Sequence, residues 1–245
     1  MFTLTDHSAW SGIRYGVGLS LLLCASFLNA HAAQPATAAW FPDAPTFRHY
    51  AWTDPPCPGC SDLDPQPTWT RMAQLAGLSN VHFKRAPDDS EGDAYSLAPN
   101  VIVLSPSAQK LPSCQLAFVI GHEIVHIAQR HFDEDAIALS VYSGKPPYWT
   151  HDGDVAMQLA DGDFGLALKL SPLWKQQERE ADWLGSLLAA QVCGCSLEKG
   201  ALAYFHPGDG DEGGIAAAHP PDAERIRQLM PFTESARRLM AMVPH

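Results

Sequence analysis

The sequence predicts an α+β fold that is mainly helical, with a small sheet beside one central helix. Residues 115–132 and 174–191 repeat apolar side chains with a helical period and contain no proline. Residues 81–85 and 101–104 are short β-branched or apolar stretches bounded by turn-forming residues, as strands are. With 245 residues, 46% of them hydrophobic, the chain can build one sizeable core. One folded domain over residues 68–245 is expected.

The first 32 residues have the pattern of a secretory signal peptide. An apolar run at residues 17–28 follows Arg14 and precedes the small-residue sequence Ala30-His31-Ala32. A membrane-spanning helix needs roughly 20 apolar residues, which is more than this run supplies. We therefore expect cleavage after Ala32, a periplasmic or secreted mature protein, and no stable membrane span after removal of the signal. A retained membrane anchor is the rival interpretation.

Residues 33–67 are rich in proline, which prevents long regular elements, and predict an irregular N-terminal extension. Residues 68–78 follow, and they place Trp69, Met72 and Leu75 on one helical face. A short helix is therefore predicted to begin the folded domain.

Downstream of the central helix, residues 144–153 are rich in turn formers, and a helical stretch around residues 155–170 is interrupted by glycines. The second strongly periodic helix, at residues 174–191, comes next. A glycine-rich loop at residues 208–214 and a final helix from Pro221 complete the predicted order of elements.

The charge of the chain restricts its partners. The formal net charge is −11 at pH 7. Such a surface repels the phosphates of nucleic acids and anionic lipid headgroups. Nucleic acid is therefore not expected as a partner.

The central helix contains the motif His122-Glu123-Ile124-Val125-His126. Residues four apart lie above one another on one helical face, so the imidazoles of His122 and His126 can bind one tetrahedral ion. Glu123 is rotated by about 100° and lies beside that ion. There its carboxylate can take a proton from an attacking water. The pattern predicts a catalytic zinc site, and the alternative is two ordinary surface histidines.

A catalytic zinc site needs a third protein ligand. On the later helix Glu178 and Asp182 share one face, whereas Glu180 points elsewhere. Neighbours such as Trp183 and Leu184 predict that this helix is largely buried, and a buried carboxylate needs a partner. Glu178 is therefore the candidate third ligand, with a solvated acidic surface as the alternative.

Three sequence blocks, in this order, resemble a family of zinc metallopeptidases that includes HtpX, the CAAX prenyl proteases and periplasmic BepA-like peptidases of outer-membrane quality control. The blocks are HExxH at residues 122–126, ExxAD at residues 178–182 and HPxxxxRI at residues 219–226. The resemblance covers roughly residues 68–232. It implies a zincin-like metallopeptidase fold with the small sheet beside the HExxH helix.

The resemblance also implies the roles of individual residues. It gives one Zn²⁺ per chain, with the ligands His122, His126 and Glu178. It makes Glu123 the general base and brings His219 towards the scissile carbonyl. It also pairs Arg225 with Asp182 beside the metal ligands. A cation or imidazole near the developing oxyanion acts where charge appears in the transition state.

The strand before the metal helix bears on substrate binding. Residues 93–104 resemble the family's strand at this place but lack its usual glycine pair. If residues 101–104 form an exposed edge, an extended or unfolded polypeptide can add to it as a further strand.

Four cysteines are candidates for disulfide bonds, in two clusters: Cys57 and Cys60, and Cys193 and Cys195. Pairing across the clusters would fasten the N-terminal extension to the domain, leaving Cys114 free. A redox-active CxxC pair and a four-cysteine zinc site are the alternatives.

Two functions follow from the sequence. The first is a zinc endopeptidase that acts on unfolded or misassembled proteins of the cell envelope. The second is a non-proteolytic periplasmic chaperone or assembly factor that keeps the metallopeptidase fold. The presence of Glu123 favours the first.

Overall fold

A computed structural model of the chain describes residues 57, 59–90, 93–97, 99–143, 163–206 and 219–241, with residues 234–241 described by their backbone alone. All of them belong to one compact unit, Tyr50–His245. The predicted signal peptide, the turn-rich stretch and the glycine-rich loop lie outside the described residues. The predicted fold class, mainly helical α+β with a small sheet, is confirmed.

The sheet has four short strands: β1 (Ser61–Asp62), β2 (His82–Arg85), β3 (Ala94–Leu97) and β4 (Val101–Leu104). Their order across the sheet is β1-β2-β4-β3. Strands β2 and β4 are parallel, whereas β1 pairs with β2, and β3 with β4, in antiparallel fashion. The sequence predicted β2 and β4 within a residue, but it did not separate β3 from the strand that follows.

Residues 101–104 are not an exposed edge, so the condition for adding a substrate strand to them is not met. Strand β4 lies between β2 and β3, and all four of its residues are buried. Ile102 and Leu104 pack into the main core, whereas Val101 and Val103 face the Cys57–Cys60 loop on the other side. A strand that is apolar at every position is typical of the centre of a sheet, because both faces of such a strand are covered. The outer strands are β1 and β3.

The helices are α1 (Pro67–Leu75), α2 (Ser113–Ala128), α3 (His131–Ser143), α4 (Phe164–Cys193), α5 (Ala201–Tyr204) and α6 (Asp222–Ala241), and a 3₁₀ turn (Ala108–Lys110) precedes α2. Helix α2 is the centre of the unit, since ten consecutive residues from Leu116 to Val125 are buried. It packs against the sheet, α1 and, most extensively, α4. The metal motif therefore lies on the most enclosed helix.

The predicted helix at residues 115–132 is divided in two. Helix α2 ends at Ala128, Arg130 adopts a left-handed conformation with φ 62°, and α3 begins at His131. The turn is closed by an ion pair between Arg130 and Asp133. The period of apolar residues continues across the break, which is why it did not reveal the turn.

The two predicted helices around residues 155–170 and 174–191 are, over their described part, one helix. Helix α4 runs through Pro172, begins after Asp163, whose side chain caps Leu166 N–H at 3.0 Å, and ends before Gly194 at φ 67°. Among the described residues, no helix has both the length and the apolar character needed to cross a membrane.

Candidate metal centre

Helix α2 brings the two motif histidines together. His122 is buried, and its Nε2 atom lies 3.0 Å from Nε2 of His126, one turn later. His122 Nδ1 lies 3.1 Å from Asp182 Oδ1 on α4. A carboxylate at that position accepts the Nδ1–H and leaves the lone pair on Nε2, which is the form of histidine that binds a metal.

Helix α4 supplies Glu178 to the same point. Its Oε2 lies 3.4 Å from His122 Nε2, and its Oε1 lies 3.3 Å from His126 Nε2. Four ligands at about 2.0–2.2 Å from one zinc ion are about 3.3–3.6 Å apart, so the two histidine–carboxylate distances fit the edges of such a tetrahedron, whereas the 3.0 Å between the two Nε2 atoms is somewhat shorter. Glu178 is also buried, at 4% exposure. The three residues can therefore bind one metal ion.

Two glycines allow the helices to approach so closely. A Cβ atom on Gly121 would lie 2.6 Å from the carbonyl oxygen of Gly185, and one on Gly185 would lie 2.6 Å from His122 N. Neither distance is tolerated by real side chains. The backbones of α2 and α4 thus touch beside the first metal ligand, and Glu178 lies two turns from Gly185 on the same face.

Asp182 and Arg225 lie behind the ligands. Arg225, on α6, donates two hydrogen bonds to Asp182, one of them from Nε to Oδ2 at 2.8 Å, and its Nη2 lies 3.2 Å from Glu178 Oε2. Burial alone raises the pKa of Asp182, but Arg225 and His122 lower it below its ordinary value. Burial also raises that of Glu178, whose pKa the imidazoles of His122, His126 and His219 bring well below its usual range. Both carboxylates are therefore ionised.

The remaining candidates border the same cleft. Glu123 is buried next to His122 and lines the cleft floor. His219 precedes α6, is half-exposed, and places Nδ1 3.0 Å from Glu178 Oε2. Its hydrogen bond to Glu178 raises the pKa of His219. The structure thus brings both motif histidines and Glu123 together with four residues of the other two sequence blocks: Glu178, Asp182, His219 and Arg225.

Comparison with known proteins identifies the family. The model of Peptidase family M48 matches residues 64–232. The chain belongs to this family. The match confirms the resemblance to HtpX-type metallopeptidases and extends a few residues upstream of the range expected from the motifs. No curated protein and no solved structure gave a match.

Membership of M48 makes the chain a metallopeptidase by family, and M48 metallopeptidases are metal-dependent, usually with zinc. The donor set fits that ion, because two imidazoles and one carboxylate are a known set of catalytic zinc ligands with a fourth position left for solvent.

His131, which was assigned no role from the sequence, contacts the metal ligand His126 in this M48 site. The turn at Arg130 brings its Nδ1 to 2.9 Å from His126 Nδ1. Burial lowers the pKa of His131 to about 3, so the ring is neutral and can orient His126. The signal was available as Arg130-His131 after the motif, but an unbroken helix would have turned His131 away.

Two further cleft residues were also missed. Trp174 and Gln177 lie on α4 one turn and one residue before Glu178, and both line the cleft. Gln177 Nε2 donates to His131 O, Glu134 Oε2 and Asp135 Oδ1 at 3.0–3.3 Å, which fastens α3 to α4. Both residues lie close to Glu178 in the sequence, but the periodicity of residues 174–191 was interpreted only as a buried helix face.

The disulfides differ from the expected pairing. Cys57 bonds to Cys60, and Cys114 bonds to Cys195 with Cα atoms 5.4 Å apart. Cys193, expected to form a disulfide, is the free cysteine of the described residues, and Cys114, expected to be free, is paired. The reason is geometric: α2 and α4 are adjacent, so the first turn of α2 meets the chain just after α4 ends. No bond joins the two predicted clusters.

Proposed function

We propose that this M48 chain is a zinc-dependent endopeptidase that hydrolyses peptide bonds in extended or unfolded polypeptides through an activated water. One observation carries the proposal. The Nε2 atoms of His122 and His126 lie 3.0 Å apart, and each lies 3.3–3.4 Å from one carboxylate oxygen of Glu178, in a cleft that Glu123 also lines. A catalytic zinc site differs from a structural one in having three protein ligands, a fourth position for water and a nearby carboxylate that can act as general base.

The chain's own residues provide base, donor and support. Zinc, when bound, activates water and polarises the scissile carbonyl. Glu123 takes the proton of the attacking water and passes it to the leaving amine. His219 borders the cleft and can donate a hydrogen bond to the developing oxyanion. Arg225 forms ion pairs with Asp182 and Glu178, and Asp182 fixes the orientation of His122.

Strand β3 suggests how an extended chain binds. Ser105 N–H donates to Asp93 C=O at 2.9 Å, directly opposite in the β3–β4 ladder. Because bonded and non-bonded pairs alternate in an antiparallel ladder, the backbone groups of Ala94 and Ser96 point away from β4. Both residues line the cleft. A substrate strand can pair with them through main-chain hydrogen bonds, which tolerate many sequences.

We also propose that the enzyme works in the cell envelope, on unfolded or misassembled proteins of that compartment. The signal-like pattern of residues 1–32 supports export. Two disulfide bonds support an oxidising location, because such bonds are rare in reducing compartments. The open edge of β3 suits substrates that have lost their fold.

The test is zinc analysis with a casein-cleavage assay on the mature protein and on its Glu123→Gln variant. Glutamine keeps the shape of the side chain but cannot accept the proton, so we expect one bound zinc per chain and a loss of activity of about 10²–10⁴-fold. Glu224→Gln is the matched control, since Glu224 lies on α6 and, among the described residues, its side chain bonds along that helix, to Gln228 at 3.0 Å. It is expected to keep full activity.

Cleavage by purified Glu123→Gln at the wild-type rate would contradict the proposed role of Glu123. The non-proteolytic assembly function predicts a different result, because a cell that carries only Glu123→Gln would then show no envelope defect. An endopeptidase predicts the defect of a deletion strain.

A further inference from the structure

One polar atom of the cleft has no use in the steps above. The indole Nε1 of Trp174 is buried and has no hydrogen-bond partner among the residues that the structure describes. Buried tryptophan N–H groups normally find an acceptor, and leaving one unpaired costs free energy. Because Trp174 lines the metal cleft, the missing acceptor is expected to come from a ligand.

The position of this donor is fixed by packing. Trp174 is 5% exposed, and it forms an apolar cluster with Ala167 and Leu170 of its own helix. Ala138 of α3 packs against the same cluster. The ring is therefore enclosed on its apolar sides, so the N–H cannot readily turn elsewhere to find a partner.

A second orphan atom lies in the same wall of the cleft. His131 Nε2 is buried without a hydrogen bond among the described residues, and Glu180 Oε2, at 3.6 Å, is too far to provide one. His131 and Trp174 come from α3 and α4, which form the side of the cleft that faces Tyr95 and Ser96 of β3. A polar ligand in the cleft would therefore meet the unpaired side-chain nitrogens of His131 and Trp174 on one side and the outward-pointing backbone groups of β3 on the other.

The charge of the cleft restricts the acceptor. The neutral indole N–H offers no charge to attract an anionic acceptor, and the carboxylates of Glu123, Glu178 and Asp135 line the same cleft. A neutral carbonyl oxygen remains, and polypeptides carry one in every peptide bond and in each Asn and Gln side chain. We propose that the Trp174 indole N–H donates a hydrogen bond to a carbonyl oxygen of the bound polypeptide and thereby positions it beside the metal centre. This inference rests on the proposed peptidase function.

Trp174 acts on binding rather than on the chemical step. It lies four residues before Glu178, which is about 6 Å along the helix axis, so its partner is next to the scissile bond and not the reacting carbonyl. An interaction that is equal in the ground state and the transition state changes KM and leaves kcat unaltered. Trp174 is thus a positioning residue for substrate.

The test removes only the N–H. Trp174→Phe keeps an aromatic ring, and a variant with 3-benzothienylalanine at position 174 replaces the N–H by sulfur in a ring of nearly the same shape. Affinity for fluorescein-labelled casein is measured by anisotropy in the Glu123→Gln background, where no cleavage occurs. KM and kcat are then measured with a peptide that spans a casein cleavage site.

We expect Kd and KM to rise about two- to tenfold, as for the loss of one hydrogen bond, with kcat within about twofold of the wild type. Zinc content should be unchanged. Trp69→Phe is the control, because Trp69 is buried against Phe83 in the main core and does not line the cleft. It should leave Kd, KM and kcat unaltered.

Unchanged Kd and KM in the benzothienylalanine variant would overturn the inference, whether or not Trp174→Phe folds well. A fall in kcat at constant KM would also overturn it, because the donor would then act on the transition state. These failures differ from failure of the peptidase proposal, in which wild-type protein cleaves no casein although its binding still depends on Trp174.

The source of the carbonyl is decided with modified peptides. If a main-chain carbonyl is the acceptor, replacing one peptide C=O by CH₂ near the cleaved bond removes the difference in Kd between the Trp174 protein and its 3-benzothienylalanine variant. If a side-chain amide is the acceptor, replacing Gln by Met or Asn by Leu at one position does so. A difference that survives every such replacement would contradict the proposed contact.

Discussion

The α2–α4 crossing and strand β3 both border the metal cleft, but they differ in how tightly they are fixed. At the crossing, two glycine backbones touch, a disulfide joins the start of α2 to the end of α4, and Arg225 pairs with Asp182. Strand β3 has a ladder on one side, and no described strand pairs with its other side.

The difference separates the requirements of metal binding and substrate binding. Ligand atoms must be placed to within a few tenths of an ångström, so the crossing is held by several independent constraints. A substrate strand contributes its own hydrogen bonds, so β3 needs only correct spacing and free backbone groups. Perturbing the crossing should therefore cost stability and zinc, whereas perturbing β3 should cost substrate affinity alone.

The largest effect on stability is expected from the disulfide of the crossing. Cys114→Ser with Cys195→Ser releases a loop of sequence separation 81, which should lower the free energy of unfolding by about 2–4 kcal/mol. Chemical denaturation of the zinc-loaded protein under non-reducing conditions measures this. Cys193→Ser is the matched control, since Cys193 belongs to the same cluster but forms no disulfide within the described part of the chain, and it should change stability by less than about 1 kcal/mol. If the double variant Cys114→Ser with Cys195→Ser were as stable as Cys193→Ser, the disulfide bond would not contribute to holding α2 against α4.

Gly185→Ala should have the next largest effect. Its Cβ meets backbone atoms of Gly121 and His122, which cannot move away as a flexible side chain can. We expect a loss of about 1–3 kcal/mol and weaker zinc binding, because Glu178 moves with α4. Zinc titration with a competing chelator and thermal unfolding measure the two effects.

Gly165→Ala is the control for this exchange on the same helix. A Cβ there would lie 3.3 Å from Asp163 Oδ1, a side-chain atom that can shift. Zinc affinity should then be unchanged. If Gly185→Ala bound zinc as tightly as Gly165→Ala, the close approach of the two helices would not be needed to form the site.

The same contrast shows what sequence could and could not predict. The ligands were predictable because His122 and His126 lie four apart on one helix, and ExxAD at residues 178–182 is equally local. The crossing of α2 and α4 was not predictable, because Gly121 and Gly185 are 64 positions apart in the sequence and neither interrupts its helix. The pairing of Cys114 with Cys195 depends on that crossing. Local periodicity carries no information about which helices touch.

The edge of the sheet was not predictable for a related reason. An apolar run such as residues 101–104 predicts a strand, but its position in the sheet depends on which strands pair with it. Strand β3 shows no regular alternation of buried and exposed residues that would mark it as an outer strand. Its four residues were too few to stand out from the loop before β4. The turn at Arg130 was missed similarly, because a non-glycine residue at positive φ leaves no compositional signal.

The smallest effect on stability is expected at β3, from Ser96→Pro. The N–H of Ser96 points away from β4, so proline removes a free donor without breaking the ladder, and edge strands accept it there. We expect the free energy of unfolding to change by less than about 1 kcal/mol and zinc to be retained, while KM for an extended peptide rises about tenfold, as for one or two lost main-chain hydrogen bonds. Ser96→Ala removes the hydroxyl but keeps the N–H, so it should have the wild-type KM. An equal rise in KM for both variants would assign substrate contact to the side chain, and no rise in Ser96→Pro would mean that the substrate does not pair with β3. Either result would end the contrast between a fixed metal wall and an open substrate wall, since β3 would then have no part in binding the main chain.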